Sequence, residues 1–252
     1  MNNMIIDAHA HLGHDYVFDL DATEEQLLSD YRRFGVDGAI VQPFISRTYI
    51  KDTAEIHDRI AKFCSDYPGK FWGMASINPH FTPEDYEKEA KRCIKKLGFI
   101  AIKITPFAHA CDPSSTDGMH VFEVARELGV PVMVHTGAGI PFSDPISILP
   151  AAKAFSDIKI VLAHAGTDTY FAQALFLAKE FDNVYLEPSW LGIHHVMSAL
   201  KTIGAGKMMF SSDHSINVPV ELAKYRTAIE DKMELEKVMS GTAAEVFNLF
   251  KK

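Results

Sequence analysis

Cysteine is scarce in this chain: Cys64, Cys93 and Cys111 are the only three, widely spaced and without a CxxC pair. That excludes a disulfide framework and suits free thiols in a reducing compartment. A charge interrupts every apolar run before the about 18 residues a membrane helix requires. The N-terminal stretch has neither a basic n-region nor a long apolar h-region, so the expected location is the cytoplasm. Bases are outnumbered, 25 Lys and Arg against 33 Asp and Glu, for a formal charge of −8. This balance works against nucleic acid and anionic membrane as partners, and an anionic small-molecule substrate must be met by local basic residues. Also missing are a Gly-, Ser- or Pro-rich linker, a low-complexity segment and a close repeat. With 47% apolar residues the 252-residue chain can bury one sizeable core, and 1–252 reads as a single domain.

What is present is alternation. Short apolar runs at 4–12, 38–43, 71–77, 99–104, 130–135, 158–164, 183–187 and 207–213 are separated by stretches with helical spacing. Thr23 is a predicted N-cap for a helix to Phe34, closed by Gly35. Ile56, Ile60 and Phe63 mark a second helix, Pro83 opens a third at its first position, and Asp117–Leu128 and Thr242–Phe250 are further predicted helices. Eight apolar strands, too uniform to have a wet face, alternating with helices predict a parallel sheet closed into a (β/α)8 TIM barrel. An open doubly wound sheet is the alternative. It should carry a glycine-rich phosphate turn after an early strand, where this chain has His-Ala-His-Leu-Gly.

The chemistry gathers at strand ends. His9 and His11 end the first strand, with Asp7, His9 and His11 expected on one face and Ile6, Ala8 and Ala10 on the other. His135 ends the fifth strand, His164 the sixth and Asp213 the eighth. In a barrel these ends share one rim, where active sites of this fold are built. Imidazoles plus a carboxylate suit a divalent cation, Zn2+ first, with Mn2+, Fe2+ or Co2+ as alternatives. His9, His11, His135 and Asp213 are the expected ligands, with His164 beside them as proton shuttle, oxyanion stabiliser or ligand of a second ion. Such an ion lowers the pKa of a bound water to about 7, and Asp213 is the natural base to take its proton and return it to the leaving group.

The runs IDAHAHLG, PVMVHTG, IVLAHAG, MMFSSDH and AAEVFNLF resemble the amidohydrolase superfamily, in its amidohydrolase-related branch of metal-dependent hydrolases and decarboxylases, over nearly the whole chain. The resemblance implies metal binding by His9, His11, His135 and Asp213 and a catalytic or second-ion role for His164. It does not choose between hydrolysis of amide, ester or lactone bonds and non-oxidative decarboxylation. The leading expectation is a metal-dependent hydrolase of a small carboxylated or cyclic metabolite. The alternative is a decarboxylase of a small unsaturated or aromatic acid. A phosphoesterase reading is disfavoured by the negative charge and by Ser-Ser-Asp where barrel enzymes of that kind carry Glu-Thr-Asp, and non-enzymatic metal binding is a fourth reading.

Two positions depart from the family pattern. Lys103 lies on the fourth strand, with Phe99, Ala101 and Lys103 expected inside the barrel and Ile100, Ile102 and Ile104 outside. Burying a lysine is costly without a partner. It resembles the carboxylated bridging lysine of binuclear relatives, but a substrate partner is the reading adopted, with a carbamate or a snorkelling side chain as alternatives. His214-Ser215-Ile216 follows Asp213 where relatives carry an aromatic and a proline. Arg47, His80, His109, Trp190, His194 and His195 fall in segments near the same rim. Arg47 is the expected bidentate partner of a substrate carboxylate. Glu187 could orient a histidine or sit in a buried salt bridge. A homodimer is the default assembly.

Overall fold

A computed structural model describes residues 4–45, 49–137 and 141–250. The strands are β1 (Ile6–Asp15), β2 (Leu20–Ala22), β3 (Gly38–Pro43), β4 (Phe71–Ser76), β5 (Ala101–Ile104), β6 (Val132–His135), β7 (Ile160–Ala163) and β8 (Val184–Glu187). Their order is β2-β1-β3-β4-β5-β6-β7-β8, with β2 antiparallel to β1 and every other pair parallel. The segment 208–213 is the eighth stave of the barrel. It bridges β8 through Leu186 and Met208 and β1 through Ala10 and Asp213, both parallel. Ala8 N donates to Phe210 O at 3.0 Å and Asp213 N to His9 O at 2.9 Å, which closes the sheet.

The fold is the expected TIM barrel with two corrections. Strand β2 is an addition, a hairpin that folds back on the long first strand where the sequence reads only as polar. The predicted eighth strand forms no continuous ladder, because Phe210 N turns out to Val238 O at 2.8 Å and Asp213 has a left-handed backbone, φ 65°. Among the described residues no helix is long and apolar enough to cross a membrane.

Helix ends follow local chemistry. Thr23 caps the helix Glu24–Phe34 by accepting from Gln26 N at 3.2 Å, and Gly35 ends it at φ 75°, a conformation that glycine adopts without a Cβ clash. Ser115 caps Thr116–Leu128, and Thr82 with Pro83 starts Pro83–Lys95. The last predicted helix is shorter than expected, Thr242–Val246, and continues from a π-helical turn at Lys237–Gly241. Phe247 and Leu249 then join Ile6, Ala8, Ile40, Met74, Ala101, Met133, Val161 and Met209 in the barrel interior. Strand residues of the opposite parity, such as Leu12, Val41, Ile102, Val134 and Leu162, pack outward against the helices. Gly38 is required by a close approach, since a Cβ there would meet the Lys70 carbonyl oxygen at 2.2 Å.

A bulge in β1 matters most for the site. Asp7 pairs with Ala39 and Ala10 with Val41, so two residues of β1 stand opposite one of β3. Strict alternation is broken there: Ile6 and Ala8 face the interior and Ala10 and Leu12 the helices. The Asp7 side chain is thereby turned off the face that carries the histidine rings, though it still accepts from His9 N at 3.1 Å. It accepts from Tyr31 on the first helix at 2.7 Å, from Ser212 N at 3.0 Å and from the Ser212 hydroxyl. Burial pushes its carboxyl up to about 7 despite these donors. Its task is to join β1, the closing stave and a helix. On β5 the expected parity holds for Ala101, Lys103, Ile102 and Ile104. Phe99 precedes the strand and packs outward, against Gly73 and His57.

Candidate metal centre

At the C-terminal rim three donors converge. His9 Nε2 lies 3.0 Å from His11 Nε2, and both lie 3.2 Å from Asp213 Oδ1. The ring orientations follow from what the other nitrogens touch. His9 Nδ1 is 2.7 Å from Glu187 Oε2, and His11 Nδ1 is 3.1 Å from the Pro43 carbonyl. A carboxylate and a carbonyl can only accept, so each Nδ1 carries a proton and each ring turns its Nε2 toward the other. Lys103 Nζ, 3.1 Å from His9 Nε2, and Gln42 Nε2, 3.3 Å from His11 Nε2, also reach these nitrogens. The two imidazole nitrogens and one carboxylate oxygen stand within 3.2 Å of one another, mixed nitrogen and oxygen donors gathered at one point. The donor set therefore fits a divalent cation.

Electrostatics support this protonation pattern. Burial drives His9 and His135 well below the usual imidazole range and brings His164 down to about 4, leaving these rings neutral at pH 7. Burial alone would raise Asp213, but His164, His9 and His11 beside it hold its carboxyl well below the carboxylate range. Glu187 is fully buried and engages four groups. Besides His9 it accepts from Ser189 N at 2.7 Å, from His164 N at 3.4 Å and from the Ser211 hydroxyl. It thus fixes the orientation and tautomer of the His9 ring, as a carboxylate behind a metal-binding imidazole would.

The remaining expected residues fall into place unevenly. His164 starts a tight turn after β7 in a left-handed backbone, φ 63°, with Nδ1 2.7 Å from Ser189 Oγ. His135 ends β6, and its ring centroid lies 4.7 Å from that of His164 and 4.8 Å from that of Phe107. It lines the same cavity but is in none of the compact donor groups formed by the described residues, where His9, His11 and Asp213 meet without it. Lys103 is buried inside the barrel as expected, Nζ 3.1 Å from His9 Nε2, and burial lowers its ammonium to about 8. Arg47 lies outside the described residues.

Other rim candidates are engaged in structural contacts. His80 is held by Asp117 at 2.6 Å, His195 by Asp168 at 2.8 Å, and buried His109 accepts from Thr105 N at 3.3 Å. His194 makes no contact with the centre. A separate buried donor group, His57, Glu89 and Cys93, is structural as well. His57 Nδ1 is 2.7 Å from Glu89, and its Nε2 accepts from Ser76 N at 3.1 Å, which leaves the ring no free lone pair.

The cavity over the donors is about 90 Å³, lined by Phe44, Phe107, Phe18, Lys103, His135 and His164 among others. A second cavity of about 340 Å³ adjoins it across His11 and His214, walled by Trp190, Leu20, Leu27 and Ile216. Phe44 stacks on the His11 ring with centroids 4.5 Å apart. Phe44, Phe107, Ser189 and Ser211 are site residues that sequence reasoning missed. The first two follow strand ends and could have been suspected from that position alone, whereas the serines carry no signal.

A family model described as Amidohydrolase matches residues 6–249. The chain belongs to the amidohydrolase family. Several solved structures share the fold of this amidohydrolase. The 5-carboxyvanillate decarboxylase of Sphingomonas paucimobilis is 15% identical with a TM-score of 0.77, covering 98% of this chain and 99% of that one. The 2,6-dihydroxybenzoate decarboxylase of Rhizobium is 16% identical, TM-score 0.78, with the same coverage. A dihydroxybenzoic acid decarboxylase from Polaromonas sp. JS666, solved with bound manganese and the inhibitor 2-nitroresorcinol, is 18% identical, TM-score 0.77, covering 99% and 98%.

Proposed function

We propose that this amidohydrolase is a metal-dependent, non-oxidative decarboxylase of a small aromatic or unsaturated carboxylic acid. The observation that carries the reading is the small cavity itself, about 90 Å³, lined by Phe44 and Phe107, by the buried Lys103 ammonium and by His11 and Asp213 of the converging donors. Ligand pockets commonly measure about 300–1,000 Å³, so the space over the donors suits a small molecule, with the adjoining cavity open to a larger substituent. Aromatic walls bind a planar ring and exclude water, and Lys103 supplies the charge that a carboxylate needs where the protein as a whole is acidic. The three decarboxylases with this fold, one of them holding manganese, support the same choice. Hydrolysis, the leading expectation from the sequence, draws no comparable support from the pocket.

His9, His11 and Asp213 would hold the divalent cation, with His135 at the cavity wall as a further donor, and Mn2+ or Zn2+ suits this donor set. When bound, the ion supplies positive charge for the substrate's carboxylate and its neighbouring oxygen. The residues of the chain do the rest. Lys103 binds the acid and Phe44 and Phe107 hold the ring. Asp213, ionised before substrate enters, accepts the proton of the neighbouring hydroxyl, with His164 beside it to relay. The carbon–carbon bond to the carboxylate then breaks, CO2 leaves, and the electron pair stays on the ring carbon, which takes the proton back from Asp213. The hydroxyl is restored from solvent, so the net change is one proton taken up and no oxidation.

A panel of small hydroxybenzoic and unsaturated acids and of lactones, supplied with Mn2+ or Zn2+, tests the reading. CO2 release from an acid of the panel is expected. Lactone opening without CO2 release from any acid would establish the hydrolase instead.

A further inference from the structure

Asp213 uses its two oxygens differently, and the second has a partner of its own. Oδ1 faces His9 and His11, while Oδ2 accepts the indole N–H of Trp190 at 2.9 Å and has His214 Nε2 farther off, at 3.6 Å. Trp190 is half exposed, so burial of its ring does not explain where it stands. Its backbone is left-handed, φ 63°, as is that of Asp213, φ 65°. Bulky residues rarely adopt that region and persist there only where the surroundings over-determine them.

Here they do. Ser189 N donates to Glu187 at 2.7 Å and Trp190 N to Glu221 Oε1 at 3.0 Å. Lys224 Nζ donates to the carbonyls of Pro188 at 3.1 Å and Leu191 at 2.9 Å, and Gly192 N donates to Asp168 at 2.9 Å. The loop 188–192 is therefore tied at every residue to one of two helices, Thr167–Glu180 and Val218–Ala228, or to β8, and what it delivers is one N–H at Asp213 Oδ2.

We propose that Trp190 is a positioning residue for the metal centre: its indole N–H holds Asp213 Oδ2, so that the carboxylate meets the cation through Oδ1 alone. An indole N–H only donates. It can neither ligate the ion nor act as a base, so its whole effect is on the orientation of Asp213. Without the indole, Oδ2 keeps only His214 Nε2 at 3.6 Å, beyond hydrogen-bond reach, and the carboxylate can swing to chelate through both oxygens or turn away from the histidines. The indole also walls the larger cavity, so the same residue meets any ligand entering there. The proposal rests on Asp213 being a cation ligand and is independent of whether the reaction releases CO2.

The test uses the full chain and two readouts. The chain has two tryptophans, Trp72 and Trp190, so a Trp72→Phe background leaves one indole signal in a 1H–15N spectrum. That signal is expected downfield and slow to exchange for a half-exposed group, and Asp213→Ala is expected to return it to the free position. Trp190→Phe keeps an aromatic ring without the N–H. It is expected to melt close to the parent and to bind Mn2+ or Zn2+ about 10–100-fold more weakly, the usual loss when a group orienting a ligand is removed. An indole that exchanges freely and ignores Asp213→Ala overturns the proposal, as does a Trp190→Phe variant with the parent's metal affinity. A parent that takes up neither ion overturns it together with the metal-dependent reading, whereas metal uptake without CO2 release from any acid removes only the decarboxylase reading and leaves this proposal standing.

Discussion

Glu187 Oε2 lies 2.7 Å from His9 Nδ1, a pairing made 178 residues apart in sequence between the end of β8 and the first strand. The carboxylate sets the His9 tautomer, and so the direction of its lone pair, while its other oxygen takes Ser189 N and the Ser211 hydroxyl. One buried acid thus aligns β1, β8 and the closing stave around the donor that the centre requires.

Glu187→Gln should weaken metal binding by about 10–100-fold. An amide cannot accept from His9 Nδ1–H on one side and from Ser189 N and Ser211 on the other without turning an N–H toward a donor. Competition with a chromophoric chelator measures the loss, and an unchanged dissociation constant would refute the orienting role.

Lys103→Met removes the one lysine or arginine that lines the small cavity among the described residues. A hydrogen bond to a charged group is worth about 1.5–3 kcal/mol, so KM for a carboxylate substrate is expected to rise by about 10–150-fold. Metal content should be retained, because the lysine is not needed to hold the ion. Elemental analysis beside steady-state kinetics checks both halves, and loss of the metal would instead mark Lys103 as part of the ligand set.

Away from the site, Glu89 joins two helices to the sheet. It meets His57 Nδ1 at 2.7 Å, accepts from Arg92 Nε at 2.8 Å, and His57 in turn receives Ser76 N. Burial would raise its carboxyl, but the His57 and Arg92 partners outweigh this and lower it from 4.5 to about 2. A carboxyl lowered on folding adds stability that is fully present above its unfolded value and lost as pH falls through its folded one. The urea midpoint should therefore drop between pH 4.5 and about 2, and less steeply in Glu89→Gln. Glu89→Ala, which strands the partners of a buried pair, should cost about 3–5 kcal/mol at pH 7. Equal acid slopes in parent and Glu89→Gln would show that the pair does not carry the effect.

Much of this protein is legible along the chain because its signals are local. Strand and helix periods, the Thr23 and Thr82 caps, and glycine at helix ends are decided within a few residues by backbone sterics and hydrogen bonding. Histidines at strand ends become neighbours once the sheet is known to close, since closure brings every strand end to one rim. That reasoning brings His9, His11 and Asp213 together, and it puts Lys103 on the inner face of β5.

What the tertiary structure alone decided are the features that depend on how distant segments meet. The bulge in β1 turns Asp7 toward Tyr31 and Ser212 instead of toward the histidines, because the closing stave must satisfy its own backbone against β1. The partnership of Glu187 with His9, the standing of His135 beside His164 rather than among the compact donors, and the indole of Trp190 on Asp213 are of the same kind. Each depends on a distance between groups many tens of residues apart or on a left-handed backbone imposed from several sides. No pattern within a short window encodes either, since the sterics of a single residue there favour something else.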